Sequence, residues 1–231
     1  MKHKIASACI ALAALGASAQ TFPPPQNVLQ LSASGTVEVP QDLLSITLST
    51  TREGDNAATV QSQLKSALDA ALAEAKRSTE SGQMDVRTGT FGIYPRYSKD
   101  GKINGWRGTA ELVLEGRDFP RITQAASRMP TMTVGNVGFG LSREQRAKVE
   151  TDAQLQAIER FKSKAAELAR GFGFSSYTLR EVAVNANDFS PGPRPRMLAQ
   201  VSAASSESSP VPVEAGKAAV TVTVTGSVQL R

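Results

Sequence analysis

Residues 84–115 read MDVRTGTFGIYPRYSKDGKINGWRGTAELVLE, and the fold class turns on that stretch. Two runs suited to strands, 84–97 and 106–115, flank a loop that contains Asp100-Gly101 and Asn104-Gly105. Gly, Asn and Asp tolerate the backbone conformations of tight reversals, so the segment predicts a long β-hairpin. On its return strand Ala110, Leu112 and Leu114 alternate with Thr109, Glu111 and Glu115. That alternation marks one buried face and one wet face.

Helical patterns lie on both sides of the hairpin. Upstream, Gly54-Asp55-Asn56 supplies a turn and an N-cap. Val60, Leu64, Leu68, Ala71, Leu72 and Ala75 then recur at helical spacing, with a stop expected at Ser81-Gly82. Downstream, Asp118 caps a short helix with Pro120 in its first turn; Ile122, Ala125, Ala126 and Met129 are its inward residues. A strand at 43–52, with Leu44, Ile46 and Leu48 on one face, precedes the first helix, and a strand at 132–141 follows the second. The order is β-α-β-β-α-β, the split arrangement that gives an antiparallel sheet with both helices on one face.

Further out, residues 29–39 form another half-buried strand, which Gly35 interrupts. Ser142 to Gln145 is a capping box: the Ser hydroxyl serves the amide three residues on, and Gln145 reaches back. The helix it opens carries Val149, Ala153, Ala157, Phe161, Ala165, Leu168 and Phe172 along one stripe and ends at Gly171 and Gly173. Roughly thirty residues at 1.5 Å each span ~45 Å, longer than a compact sheet is wide. Part of this helix is therefore expected to protrude or to pack on another subunit. Residues 177–184 and 217–230 are the last strands, the second with Val220, Val222 and Val224 against Thr221, Thr223 and Thr225. Between them 185–216, rich in Pro and Ser, reads as a mobile loop. The expectation is one α+β domain over 29–231. Its antiparallel sheet has a split β-α-β-β-α-β core, a long third helix and additional C-terminal strands, with an extended leader at 20–28.

Residues 1–19 carry an address. Lys2, His3 and Lys4 precede an apolar run at 5–15, and Ala17-Ser18-Ala19 offers a cleavage site after Ala19. That is the pattern of a secretory signal peptide, which implies a periplasmic protein. The run is shorter than the ~20 residues a membrane-spanning helix needs, and no later segment supplies one. Cleavage removes Cys9 and His3, the only cysteine and the only histidine. What remains has no disulfide, thiolate, imidazole base or nitrogen or sulfur ligand for zinc, so no metal site and no cofactor is expected. The net charge is +5, and Lys2 and Lys4 leave with the leader. The remaining charges are interspersed in sign, a mildly basic surface and not a nucleic-acid footprint.

The motifs weigh against catalysis. Residues 135–140 (GNVGFG) lack the Lys-Ser/Thr of a phosphate loop and the third glycine of a dinucleotide fingerprint, so they read as a twisted or bulged strand. Ser62 and Lys65 match an S-x-x-K motif without its partner motifs, and Leu64 between them belongs to the apolar stripe. No Ser-His-Asp triad can be assembled after cleavage. Carboxylates are the one open route: Glu111 and Glu115 share a strand face, with Asp85 and Asp118 expected nearby. The commoner role of such acids is to keep a strand solvated. Tyr94, Arg96, Tyr97, Trp106 and Arg107 crowd the outer hairpin, a composition suited to a protein contact. The alternative for these rings is to fold onto the neighbouring helix. The 191–196 run, PGPRPR, has too few arginines for firm binding to an anionic surface.

These pieces together resemble the SIMPL-domain family, the YggE-like periplasmic proteins of bacteria. The matching residues are Ser34-Gly35 with Val37, Val39, Pro40 and Asp42; Asp85-Val86-Arg87-Thr88; Pro95 with Tyr97; and Gly105-Trp106-Arg107. Val137-Gly138-Phe139-Gly140-Leu141-Ser142 follows, then Ala157, Lys164-Ala165, Glu167-Leu168-Ala169 and Gly173. The chain departs from the family pattern at Thr36, where a second glycine is commoner, and at Trp106, where Tyr is usual. The resemblance implies an exported α+β protein linked to oxidative-stress defence or to surface immunogens, with homo-oligomers among its members. It supplies no catalytic residues.

The resulting expectation is a non-enzymatic, self-associating scaffold of the envelope. The alternatives are a binding module for a small molecule, peptide or cell-wall fragment, using the hairpin aromatics, and a carboxylate-dependent hydrolase. Direct scavenging of oxidants by Met or aromatic rings would consume the protein stoichiometrically.

Overall fold

A computed structural model describes residues 26–191 and 210–231, apart from the side chains of 187–191. The elements are β1 (Val28–Pro40), β2 (Leu43–Gly54), α1 (Ala57–Lys76), β3 (Met84–Tyr97), β4 (Ile103–Gly116), α2 (Phe119–Ser127), β5 (Thr133–Gly140), α3 (Arg143–Gly171), β6 (Tyr177–Pro191) and β7 (Lys217–Leu230). They form two antiparallel sheets, ordered β3-β4-β2-β5 and β1-β7-β6. The first is the split core expected from residues 43–141. The additional C-terminal strands make a second sheet with β1, whose thirteen residues pair with β7 from Val28 opposite Gln229 to Pro40 opposite Lys217.

In the four-stranded sheet, period-2 burial on β2 and β4 meets helical-period burial on α1. Leu44, Ile46, Leu48, Leu112 and Leu114 pack on Val60, Leu64 and Ala71, all fully buried. Ile122, Ala125, Ala126 and Met129 of α2 complete this core. Asn56 caps α1, its side chain accepting from the amides of Ala58 and Thr59. The helix ends at Lys76, earlier than Ser81-Gly82; turns with Gly82 at φ +76° carry the chain on to β3. The glycines at 135–140 lie in β5, where Gly135 is the extra residue of a bulge opposite Thr47 and Leu48.

The second core is made of smaller residues. Ala153, Ala157, Phe161, Ala165 and Ala169 of α3 pack on Leu31, Val222, Val224, Val228 and Leu230. The buried row advances strictly by four, so it takes in Ala169 and leaves Phe172, expected to be inward, 63% exposed beyond the last turn. Alanines bring helix and sheet close together. Gly35 does not interrupt β1: it is where α3 lies down. A Cβ there would penetrate the carbonyl oxygen of Ala153 and stand 2.7 Å from the Ala157 amide nitrogen. One row of α3, from Val149 to Ala169, is buried on its own sheet, so most of the helix's length lies along the sheet.

One polar junction joins the two halves. Asp42 accepts from the Ser142 amide (2.7 Å) and hydroxyl (2.6 Å), and Arg117 Nε lies 3.5 Å from the same carboxylate. The Ser142 hydroxyl also accepts from the Gln145 amide, one half of the expected capping box. The other half differs, because the Ser142 amide meant for Gln145 donates to Asp42. β6 runs seven residues further than the strand expected at 177–184, so part of the expected loop is sheet. After the undescribed residues 192–209, Val213 packs on the first core. The signal peptide, its cleavage site at Ala17 and Ala19, and most of the leader lie outside the described residues.

Candidate functional site

Strand register decides where the hairpin cluster points. Tyr94 lies opposite Arg107 and Pro95 opposite Trp106. Positions 106 and 108 share the parity of buried Ala110 and Leu112, so Trp106 turns toward the helices and packs, half-buried, against the main core. Tyr94, Arg96 and Arg107 take the opposite face, where both arginines pair with Glu53 of β2. Tyr94 (65%), Tyr97 (63%) and Ile103 (54%) are the exposed large side chains of this end of the hairpin. The five residues singled out from sequence thus divide, with Trp106 given to the core and the other four left accessible.

The two glutamates of β4 do not assemble as a reacting pair with each other. Glu111 and Glu115, four residues apart on one strand, stand ~13 Å apart along the backbone, beyond the ~5–9.5 Å separations of acid pairs in glycoside hydrolysis. Glu111 accepts from the Thr90 amide (3.0 Å), inside the irregular register between Thr88 and Phe91. Glu115 lies 3.9 Å from Arg87, and Asp85 is its cross-strand neighbour. Asp118 caps α2, accepting from the Arg121 amide at 3.0 Å and pairing with the Arg121 guanidinium. Those two hydrogen bonds, the amide's first, hold its carboxyl below the usual carboxylate range. Lys65 pairs with Asp69 at 2.7 Å on the exposed side of α1, and that bond holds its ammonium above its ordinary value.

A second surface was not anticipated. β6 is an edge strand, and its residues 179–186 are exposed on both faces. Leu179, Val182 and Val184 are 52%, 43% and 45% exposed although their cross-strand partners on β7 include buried Val228 and Val224. The cause is the path of α3, which lies over β1 and β7. Arg160 and Lys164, on its β1 side, donate to the carbonyls of Ser34 (2.7 Å) and Ser32 (3.1 Å). Leu155, 56% exposed, is another apolar side chain that α3 leaves in water. The sequence signal was the apolar alternation of β6 itself, which states that a face is to be covered but not by what.

The edges differ in how they are treated. Arg160 and Lys164 cover the edge of β1. β3 carries Pro95 and two register breaks, and β5 is eight residues long with a bulge. These are ordinary protections against strand addition. β6 also breaks register twice, between Leu179 and Glu181 and between Asn187 and Ser190, but over the regular stretch between them residues 181–186 are all exposed.

Among the described residues no helix is long and apolar enough to cross a membrane, and no group of three or more His, Cys, Asp or Glu side chains is placed to hold a metal ion. No curated protein matches the chain. A solved structure, "The crystal structure of AtUAH in complex with glyoxylate", is similar at 13% identity and a TM-score of 0.26. That match covers 57% of this chain and about a third (34%) of that one, and carries no argument about fold or activity. The family model SIMPL, "Protein of unknown function (DUF541)", matches residues 29–228, nearly all of the described chain. The protein belongs to the SIMPL family.

Proposed function

We propose that this is an exported, periplasmic, non-enzymatic protein that self-associates into an envelope scaffold, with a role in tolerance of oxidative stress. The observation that carries the self-association is β6. It is an edge strand, regular from Glu181 to Asn187 between two register breaks and exposed on both faces over 179–186, with Leu179, Val182 and Val184 in water. A strand of this kind supports addition of a second copy, edge to edge. Export rests on the pattern of residues 1–19, and the stress role on the resemblance to the family. Light scattering on residues 20–231 tests the assembly: a mass above the monomer is expected, returning to monomer in Val182→Lys/Val184→Lys. A strict monomer at every concentration removes the reading.

The hairpin end supports a second reading, a binding module for a peptide or cell-wall fragment. Tyr94 and Tyr97 stand exposed beside Arg96 and Arg107, a combination of rigid rings and cations. Tyr94→Ala/Tyr97→Ala should abolish retention on peptidoglycan or peptide columns while the oligomer mass stays unchanged. Loss of mass without loss of retention would reject it.

A further inference from the structure

We propose that the cleft between the C-terminal end of α1 and the start of α2 binds a single-tailed organic anion, a fatty carboxylate or an alkyl phosphate. The cleft is open to solvent and measures about 840 Å³, room enough for a small organic ligand lying along its walls. Its walls have two characters. Arg77, Arg121 and Arg128 line it together with Asp118, and Glu74 and Glu80 pair with the first two arginines. Phe119, Pro120 and Val211 supply an apolar side, the last from the segment whose Val213 is anchored on the main core.

The three arginines are not equivalent. Arg121 is held from two sides, by Asp118 at 3.0 Å and Glu80 at 2.5 Å, so its charge is already answered and its position is set. Among the described residues Arg77, the C-cap of α1, pairs only with Glu74 one turn back, and its side chain is 75% exposed. An exposed pair of this kind is weak and readily exchanged for another anion. The Arg128 guanidinium has no ion-pair partner among the described residues. Asp118 already accepts from the Arg121 amide and places its own charge at the start of α2, so an incoming anion is directed to Arg77 and Arg128 and away from the helix terminus. Its tail then lies along Phe119, Pro120 and Val211. Guanidinium groups in a cleft that also has an apolar wall favour an amphipathic anion over a simple inorganic one, since only the former gains from both sides. The hairpin end and β6 take no part, so this site stands or falls apart from the self-association proposed above.

The test is calorimetric titration of residues 20–231 with decanoate, decyl phosphate and uncharged decanol. One anion per chain is expected, with binding at least tenfold weaker for decanol. The Arg77→Glu/Arg128→Glu variant should lose at least tenfold in affinity with its melting temperature and oligomer mass unchanged. If the double charge reversal impairs folding, Arg128→Gln serves, with a smaller loss expected. Stronger binding of one anion than the other identifies the headgroup. Equal binding of decanol, undiminished binding by a folded arginine variant, or loss of binding in Val182→Lys/Val184→Lys overturns the assignment. So does the absence of saturable uptake at millimolar anion.

Discussion

The two sheets follow one plan and finish it differently. Each has helices on one face and polar residues on the other, where Ser34 and Thr36 pair through hydroxyls with Thr223 and Thr221, and Thr51 lies near Thr109. In the four-stranded sheet two helices and large residues such as Leu48, Leu64 and Leu112 bury the inner face of β2 from Leu44 to Thr50 and of β4 from Gly108 to Gly116. In the three-stranded sheet a single helix lies close on alanines and covers two strands. A helix is ~10 Å across, and the outer strands of such a sheet stand about 10 Å apart, so a helix settled over β1 and β7 reaches Tyr177 at the start of β6 and leaves the strand bare beyond it. Close packing and full coverage are competing demands. This chain meets the first with Gly35 and an alanine row, and leaves the second unmet at Leu179, Val182 and Val184.

Phe161→Ala should expose the contrast most strongly. It is the one large side chain in the buried row of α3, so the loss should reach about 3–5 kcal/mol. Urea unfolding measures it, and exchange protection should fall in β1 and β7 more than in β2 and β4. Equal loss of protection in both sheets would mean that they unfold as one unit.

Gly35→Ala comes next, at about 1–3 kcal/mol or above, because α3 backbone has no room to yield. Gly138→Ala, where an added Cβ meets nothing nearer than 4.0 Å, is its control in the other sheet. Little change is expected there, and similar midpoints for the two variants would refute the close contact at Gly35.

Asp42→Ala probes the joint. Removing acceptors for the Ser142 amide and hydroxyl should cost about 1–3 kcal/mol and speed amide exchange in the first turn of α3. Unchanged exchange there would show that Asp42 does not hold the halves together.

The smallest effect belongs to Asp118. Its folded pKa lies below the unfolded value, so its contribution is present above about pH 4 and is lost as pH falls through the depressed folded value. Asp118→Asn should therefore flatten the acid side of the stability profile. An unchanged slope in urea midpoints between about pH 6 and pH 3 would show that the cap is not titrating.

Much of this was legible from residue order. The hairpin, the three helices and the caps at Asn56, Asp118 and Ser142 follow from short-range period and side-chain chemistry, and each helix begins where those signals put it, although α1 stops short of Ser81-Gly82. The misreadings share a cause. Gly35 looks like a break because a strand pattern does not report what approaches it from 118 residues away. Gln145 satisfies the capping pattern locally, yet Asp42 brings a charged acceptor to the same amide. Trp106 belongs by composition with the exposed tyrosines, and only its register opposite Pro95 sends it inward. Among candidate surfaces, the exposed part of the hairpin was legible as a composition, whereas the β6 edge and the arginine cleft were not. Both are made of residues that look unremarkable until their neighbours are known.

The sequence by itself determined the local geometry: which residues face inward, where helices begin, and the α+β order of the elements. Those depend on backbone dihedrals and on contacts within a few residues, which any stretch of chain carries with it. The tertiary structure alone decided that β1 pairs with β7, that the strands divide into two sheets, and that one edge is left open. Strand pairing is a contest among backbones with the same hydrogen-bonding groups, and its outcome depends on which faces can be buried together across the whole chain.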